Sequence, residues 1–164
     1  VTRAAILFFL MAVTVDGAAQ RGKSETGRGD LVGRDFDARV ARVADGDTIE
    51  ATPAGEQRPV RIRLQGIDAP ELSEVFGRES LAHLRMLMVD QMVRVSGRDM
   101  DRYGRLVARV TVKGQDASVA MLRAGLACHA YARDAALARE ESAARSAGLG
   151  FWSVNAQKPR CVTR

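Results

Sequence analysis

Three short segments of this chain hold the residue types that an attack on a phosphate ester requires. They are Asp45-Gly46-Asp47-Thr48, then Arg63 to Glu71 with Asp68 between them, then Asp101-Arg102-Tyr103-Gly104-Arg105. Together they supply three guanidiniums, Arg63, Arg102 and Arg105, and carboxylates at Asp45, Asp47, Asp68, Glu71 and Asp101. Carboxylate oxygens are hard ligands and suit a divalent metal ion. Arginine stays protonated, and its planar fork of donors matches the oxygens of a phosphate under attack. A further carboxylate can hold a water molecule or take its proton. A plainer reading exists for each piece. Asp-Gly is a common hairpin turn, and Arg63 alternates with Ile62 and Leu64 on the face of Arg61 and Gln65, so strand periodicity does not single it out.

Other chemistry finds little support. Ser80, His83 and Asp90 have no nucleophile elbow or oxyanion hole around them. His83 and His129 lack a partner at ligand spacing and read as structural. Cys128 and Cys161 are too few and too far apart for a zinc site.

The elements that must position these residues follow from hydrophobic period. Residues 36–43 and 48–52 alternate apolar and polar about a Gly-containing turn, and 60–64 alternate after a Pro-bounded loop. Residues 76–89 take helical spacing, with Phe76, Leu81, Leu84, Leu87 and Met88 able to share a face. Residues 92–95 and 106–112 read as a further strand pair around the Asp101–Gly104 turn. Asp116 is placed to cap a helix over 117–124, with Gly125 just beyond its end. A last amphipathic helix is expected over 132–147, stopped by Gly148. Five strands with a helix between the third and fourth give an α+β, mainly β fold, a five-stranded OB-fold barrel with about three helices.

At 164 residues the chain has room for one domain with a real core. Its +5 net charge attracts polyanions without distinguishing nucleic acid from an anionic membrane, and 5% aromatic residues leave little for extended base-stacking platforms. Residues 1–19 have the form of a cleaved export signal. Arg3 is followed by an apolar run too short to span a bilayer comfortably, and then by Gly17-Ala18-Ala19. Losing Arg3 and Asp16 together leaves the net charge unchanged. Residues 20–35 read as a flexible linker, and 36–164 as the domain. Export to the periplasm or medium gives the two cysteines an oxidising compartment in which they either pair or remain free thiols. No stable membrane association is expected after signal cleavage, and a monomer is expected.

In order and spacing, the three charged segments resemble the signature segments of the staphylococcal nuclease family over about residues 36–152. The resemblance implies an exported endonuclease that hydrolyses DNA and RNA phosphodiesters with Ca2+ as cofactor. It implies that Asp47, Asp68 and the backbone carbonyl of Ala69 hold the metal. Arg63 and Arg105 then clamp the scissile phosphate, and Glu71 serves the attacking water as base or as positioning acceptor. Tyr103, Tyr131 and Arg102 match residues near the bound nucleotide. The family often has Thr at position 69, where only a carbonyl is needed, and a tyrosine where this chain has Arg133. The second change puts the detail of the nucleotide pocket in doubt. The alternative is a non-catalytic OB-fold nucleic-acid binder, expected to have lost Arg63, Glu71 or Arg105. All three are present.

Overall fold

The computed structural model describes residues 28–130 and 134–163. The expected export signal, the first half of the expected linker, and Tyr131 lie outside the described residues. In chain order the strands and helices are β1 (Asp35–Val43), β2 (Thr48–Pro53), β3 (Val60–Leu64), β4 (Ile67–Asp68), α1 (Gly77–Met88), β5 (Met92–Met100), β6 (Leu106–Val112), β7 (Gln115–Asp116), α2 (Ala117–Arg123), β8 (Cys128–His129), α3 (Ala135–Ser146) and α4 (Arg160–Thr163). Short 3-10 turns occupy Arg28–Leu31 and Gly150–Trp152.

Five of the strands close a barrel. Antiparallel neighbours run in the order β3-β2-β1-β5-β6, and a parallel pairing of β3 with β6 joins the ends. Closure leaves those strands without the long open edge that a flat sheet would expose. One side chain from each alternate position enters the barrel, and Ala38, Val40, Ile49, Ala51, Ile62, Leu64, Val93, Val95, Leu106 and Val110 are all buried. Leu84 and Met88 of α1 and Met121 and Leu122 of α2 join the same core. Each such large side chain contributes about 1.5–3 kcal/mol on leaving water, so the barrel and these two helices form one packed unit.

The expected α+β, mainly β barrel is therefore the observed one, with differences at its margins. β5 runs to Met100 instead of stopping at residue 95. Its apolar alternation lapses at Gly97, yet pairing with β6 resumes after a bulge between Gly97 and Asp99. A second bulge, between Val40 and Arg42, shifts the inward face of β1 from Val40 to Val43. The strands β4, β7 and β8, two residues each, are too short to carry a period. Asp116 caps α2 through the N–H groups of Ser118 and Val119, where the sequence placed it. α3 begins at Ala135, because Asp134 takes the N–H groups of Ala136 and Leu137 and fixes the first turn.

The last residues of the expected flexible linker are held against β5. Gly33 donates to the Gly97 carbonyl at 3.0 Å, Gly97 donates to that of Arg34 at 2.9 Å, and Leu31 is buried. Two adjacent apolar residues, Leu31 and Val32, gave no period to read. Cys128 and Cys161 form a disulfide with a Cα–Cα distance of 5.8 Å, tying α4 to β8. Among the described residues no helix is long and apolar enough to cross a membrane.

Candidate active site

The charged segments meet where β2, β3 and β6 lie side by side. Thr48 of β2 pairs with Arg63 of β3, and Arg63 pairs in turn with Val107 of β6. This register, rather than sequence distance, brings the 45–48 turn beside the 63–71 segment and beside Arg105. Gly46 allows the approach. A Cβ there would sit 2.6 Å from that of Ser80 and 2.7 Å from that of Ala69, closer than side chains tolerate.

Asp47 is almost completely buried, and each of its carboxylate oxygens has a partner. Its Oδ2 accepts the Ala69 N–H at 3.0 Å and forms an ion pair with Arg63 Nη1, while its Oδ1 accepts the Thr48 hydroxyl at 2.9 Å. Arg63 reaches across to Asp68 as well, with Nη2 3.0 Å from Asp68 Oδ1 and 3.1 Å from the Ile67 carbonyl. One guanidinium thus holds both carboxylates expected to bind metal. Burial works against its charge, but the carboxylates of Asp47 and Asp68 outweigh that and raise its pKa further.

Arg105 is fixed by a different acid. Its Nε donates to Asp101 Oδ2 at 2.7 Å and its Nη1 to Thr48 Oγ1 at 3.2 Å. Asp101 Oδ1 also accepts the N–H groups of Tyr103 and Arg105, each at 2.9 Å, which closes the turn on itself. Burial alone would raise the Asp101 carboxyl. The N–H and guanidinium of Arg105 and the N–H of Tyr103 together hold it below the usual carboxylate value. The Thr48 hydroxyl donates to Asp47 and accepts from Arg105, so it links the two arginine clusters.

Not every expected residue joins this network. Glu71 is exposed, and its N–H rather than its carboxylate is engaged, donating to Glu74 Oε2 at 3.2 Å. Tyr103 is also exposed, with the guanidiniums of Arg102 and Arg105 stacked 5.0 and 5.4 Å from its ring centre. Three residues with no assigned role prove integral: Thr48 as the bridge, Asp101 as the anchor of Arg105, and Asp45. The i,i+4 spacing of Asp101 and Arg105 was the available signal for that pair. Thr48 belongs to a signature segment but had no expected role, because its bridge depends on strand register.

The donor set can be tested for a hard cation. Among the described residues no three His, Cys, Asp or Glu side chains stand together as a ready metal cluster. The acidic corner nevertheless carries surplus negative charge. The Asp45 carboxyl is pushed up to about 6, first by burial and then by the charge of Asp47 beside it. Two carboxylates, a backbone carbonyl and water are a suitable oxygen set for Ca2+, which takes flexible coordination. The residues present fit such an ion.

The chain is similar in sequence to several known proteins. A family model described as "Staphylococcal nuclease homologue" matches residues 61–154. An "Uncharacterized endonuclease" of Haemophilus influenzae is 33% identical over 119 residues, covering 71% of this chain and 66% of that protein. A "Micrococcal nuclease" of Shigella flexneri is 34% identical over 139 residues, covering 76% and 79%. An "Uncharacterized 38.1 kDa protein" of Capnoides sempervirens is 43% identical over 105 residues, covering 62% of this chain and 31% of the relative. The chain thus spans just under two thirds of the Haemophilus protein's length and less than a third of the Capnoides one's.

Proposed function

Since the chain belongs to the staphylococcal nuclease family, we propose that it is an exported, Ca2+-dependent endonuclease acting on DNA and RNA with little sequence demand. The observation that carries this reading is the pair of arginines, each held by a carboxylate and joined through Thr48. Two preset cations beside an acidic corner match the charge of a phosphodiester passing through an in-line displacement.

In this reading Arg63 and Arg105 donate to the oxygens of the scissile phosphate. Arg105 is oriented by Asp101 and Thr48 before substrate arrives, which limits reorganisation at that donor. Arg63, by contrast, must turn hydrogen bonds from Asp47 and Asp68 toward the phosphate. Asp47, Asp68 and the Ala69 carbonyl hold Ca2+, which supplies Lewis acidity toward a phosphate oxygen when bound. Glu71, exposed at the loop, positions the attacking water or accepts its proton at a carboxylate oxygen. Tyr103 and Arg102 offer a stacking face and a charge to the adjoining nucleotide, and Tyr131 is proposed to do likewise. Export is supported by the form of residues 1–19 and by the Cys128–Cys161 disulfide, a bond that persists in oxidising compartments. The protein is proposed to act as a monomer without stable membrane association.

Digestion of DNA and RNA in Ca2+, Mg2+ or EDTA tests the proposal directly. Cleavage of both polymers in Ca2+, abolished by EDTA, is the expected result. Cleavage indifferent to chelation would sink the metal assignment, and binding without cleavage would favour a non-catalytic OB-fold binder.

A further inference from the structure

Arg160 and Cys161 are neighbours in α4, and each reaches a different acid-bearing segment. Cys161 is bonded to Cys128, which stands opposite Asp68 in the β4–β8 ladder. Arg160 Nε lies 2.7 Å from Glu74 Oε1, and Glu74 Oε2 accepts the N–H of Glu71 at 3.2 Å. The turn is rooted just before these residues. Lys158 Nζ donates to the carbonyls of Phe151 at 2.6 Å and Ser153 at 2.9 Å, and Pro159 is buried.

Stability alone is a poor account of these contacts. The Arg160 side chain is 74% exposed, and exposed ion pairs contribute little to folding. Its partner Glu74 is only 12% exposed and has one oxygen on Arg160 and the other on the Glu71 backbone, so the pair fixes an orientation. The segment it orients is tightly seated. A Cβ on Gly77 would lie 1.9 Å from the Glu71 carbonyl oxygen, which leaves the 71–77 loop no room to shift toward α1. β4 and β8, at two residues each, are too short to hold register firmly by their own hydrogen bonds. A covalent tether at Cys128 steadies the strand that faces Asp68.

We propose that the disulfide-linked C-terminal turn is a positioning strap for the acidic half of the site. Cys161 acts through Cys128 on the strand of Asp68, and Arg160 acts through Glu74 on the loop of Glu71. The catalytic consequence rests on the nuclease reading above; the structural consequence does not. Turnover then depends on redox state. A dithiol reductant opens the cystine to two thiols and is itself oxidised to a cyclic disulfide, which releases the strap without touching the barrel.

Hydrogen exchange and steady-state kinetics on the full chain, well below its unfolding transition, test this together. Arg160→Ala should speed exchange over residues 71–77 and lower kcat by about 3–10-fold with KM within about twofold, since small misplacements of a reacting group are costly. Arg160→Lys, which keeps the charge, should recover most of both. The double variant Cys128→Ser/Cys161→Ser should speed exchange over residues 66–69 and 128–130, and raise the Ca2+ concentration for half-maximal activity about 3–10-fold, on the same ground of a displaced ligand. An even rise in exchange across β1 and β2 as well would reduce the strap to general stabilisation and overturn the proposal. Unchanged exchange in both segments would overturn it too. If the protein cleaves no nucleic acid, the nuclease reading fails while the exchange data still decide whether the strap exists.

Discussion

Thr48 is a single hydroxyl between two charged clusters, and its hydrogen bonds join them into one network. Through it, Asp47 with Arg63 is coupled to Arg105 with Asp101. The two arginines do not make equally clean tests. Arg63→Ala leaves the buried Asp47 without its cation, and breaking a buried pair from one side costs about 3–5 kcal/mol. Arg105→Ala leaves Asp101 two backbone N–H donors, so the fold should tolerate it better. For Arg105→Ala we expect kcat to fall by about 10²–10³, the usual cost of losing a preorganised donor. Turnover near that of the parent protein would refute its phosphate role. Asp101 carries a pH signature as well. Its folded pKa lies below the ordinary 3.8, so the unfolded chain takes up the proton first as pH falls. The stabilisation it gives is present above that ordinary value and is lost as pH drops through the folded one. Asp101→Asn should therefore flatten unfolding free energy against pH below about 4, a change measurable by denaturant titration at several pH values. It should also lower kcat by freeing Arg105.

At the scale of elements, the site depends on how closely turns and strands approach. Gly46 is squeezed between Ala69 and Ser80, so Gly46→Ala must push the 45–48 turn away from Ala69, just past β4, and from α1. Overpacking of this kind costs about 1–3 kcal/mol, and chemical unfolding should detect it. Activity should fall further than stability, because Asp47 moves with the turn. Full activity in Gly46→Ala would show that the close packing serves the fold alone. The long strands and α1 were legible because their alternation or helical spacing is sustained over several residues, as in Val60–Leu64. The Asp116 cap was legible from local chemistry. β4 and β8 were not, since two residues carry no period and their pairing is set by the chain folding back from α2. Glu74 was overlooked for a related reason. Its partners are the backbone of Glu71, close by in sequence, and Arg160, far along the chain.

For the whole molecule, a net charge of +5 and the proposed contacts of Arg63 and Arg105 with phosphate predict that binding to nucleic acid is sensitive to salt. Apparent affinity for a DNA strand should fall linearly on a log–log plot against salt. Each phosphate contact adds roughly 0.7–0.9 to the slope, and Arg105→Ala should reduce it by about that amount. A slope unchanged by the substitution would place Arg105 away from the phosphate. The sequence by itself determined the barrel class, the order of the main strands, and the three charged segments from which the candidate site is drawn. Hydrophobic period and residue chemistry are local properties, and both are written along the chain. Only the tertiary structure decided how the charges are shared. It placed one guanidinium on Asp47 and Asp68 together, made Thr48 the bridge to Arg105, and left Glu71 exposed. It also brought Arg160 beside Glu74 and Cys161 beside Cys128. Those pairings follow from strand register, close approach and chain return, which depend on distances across the barrel and have no counterpart in sequence spacing.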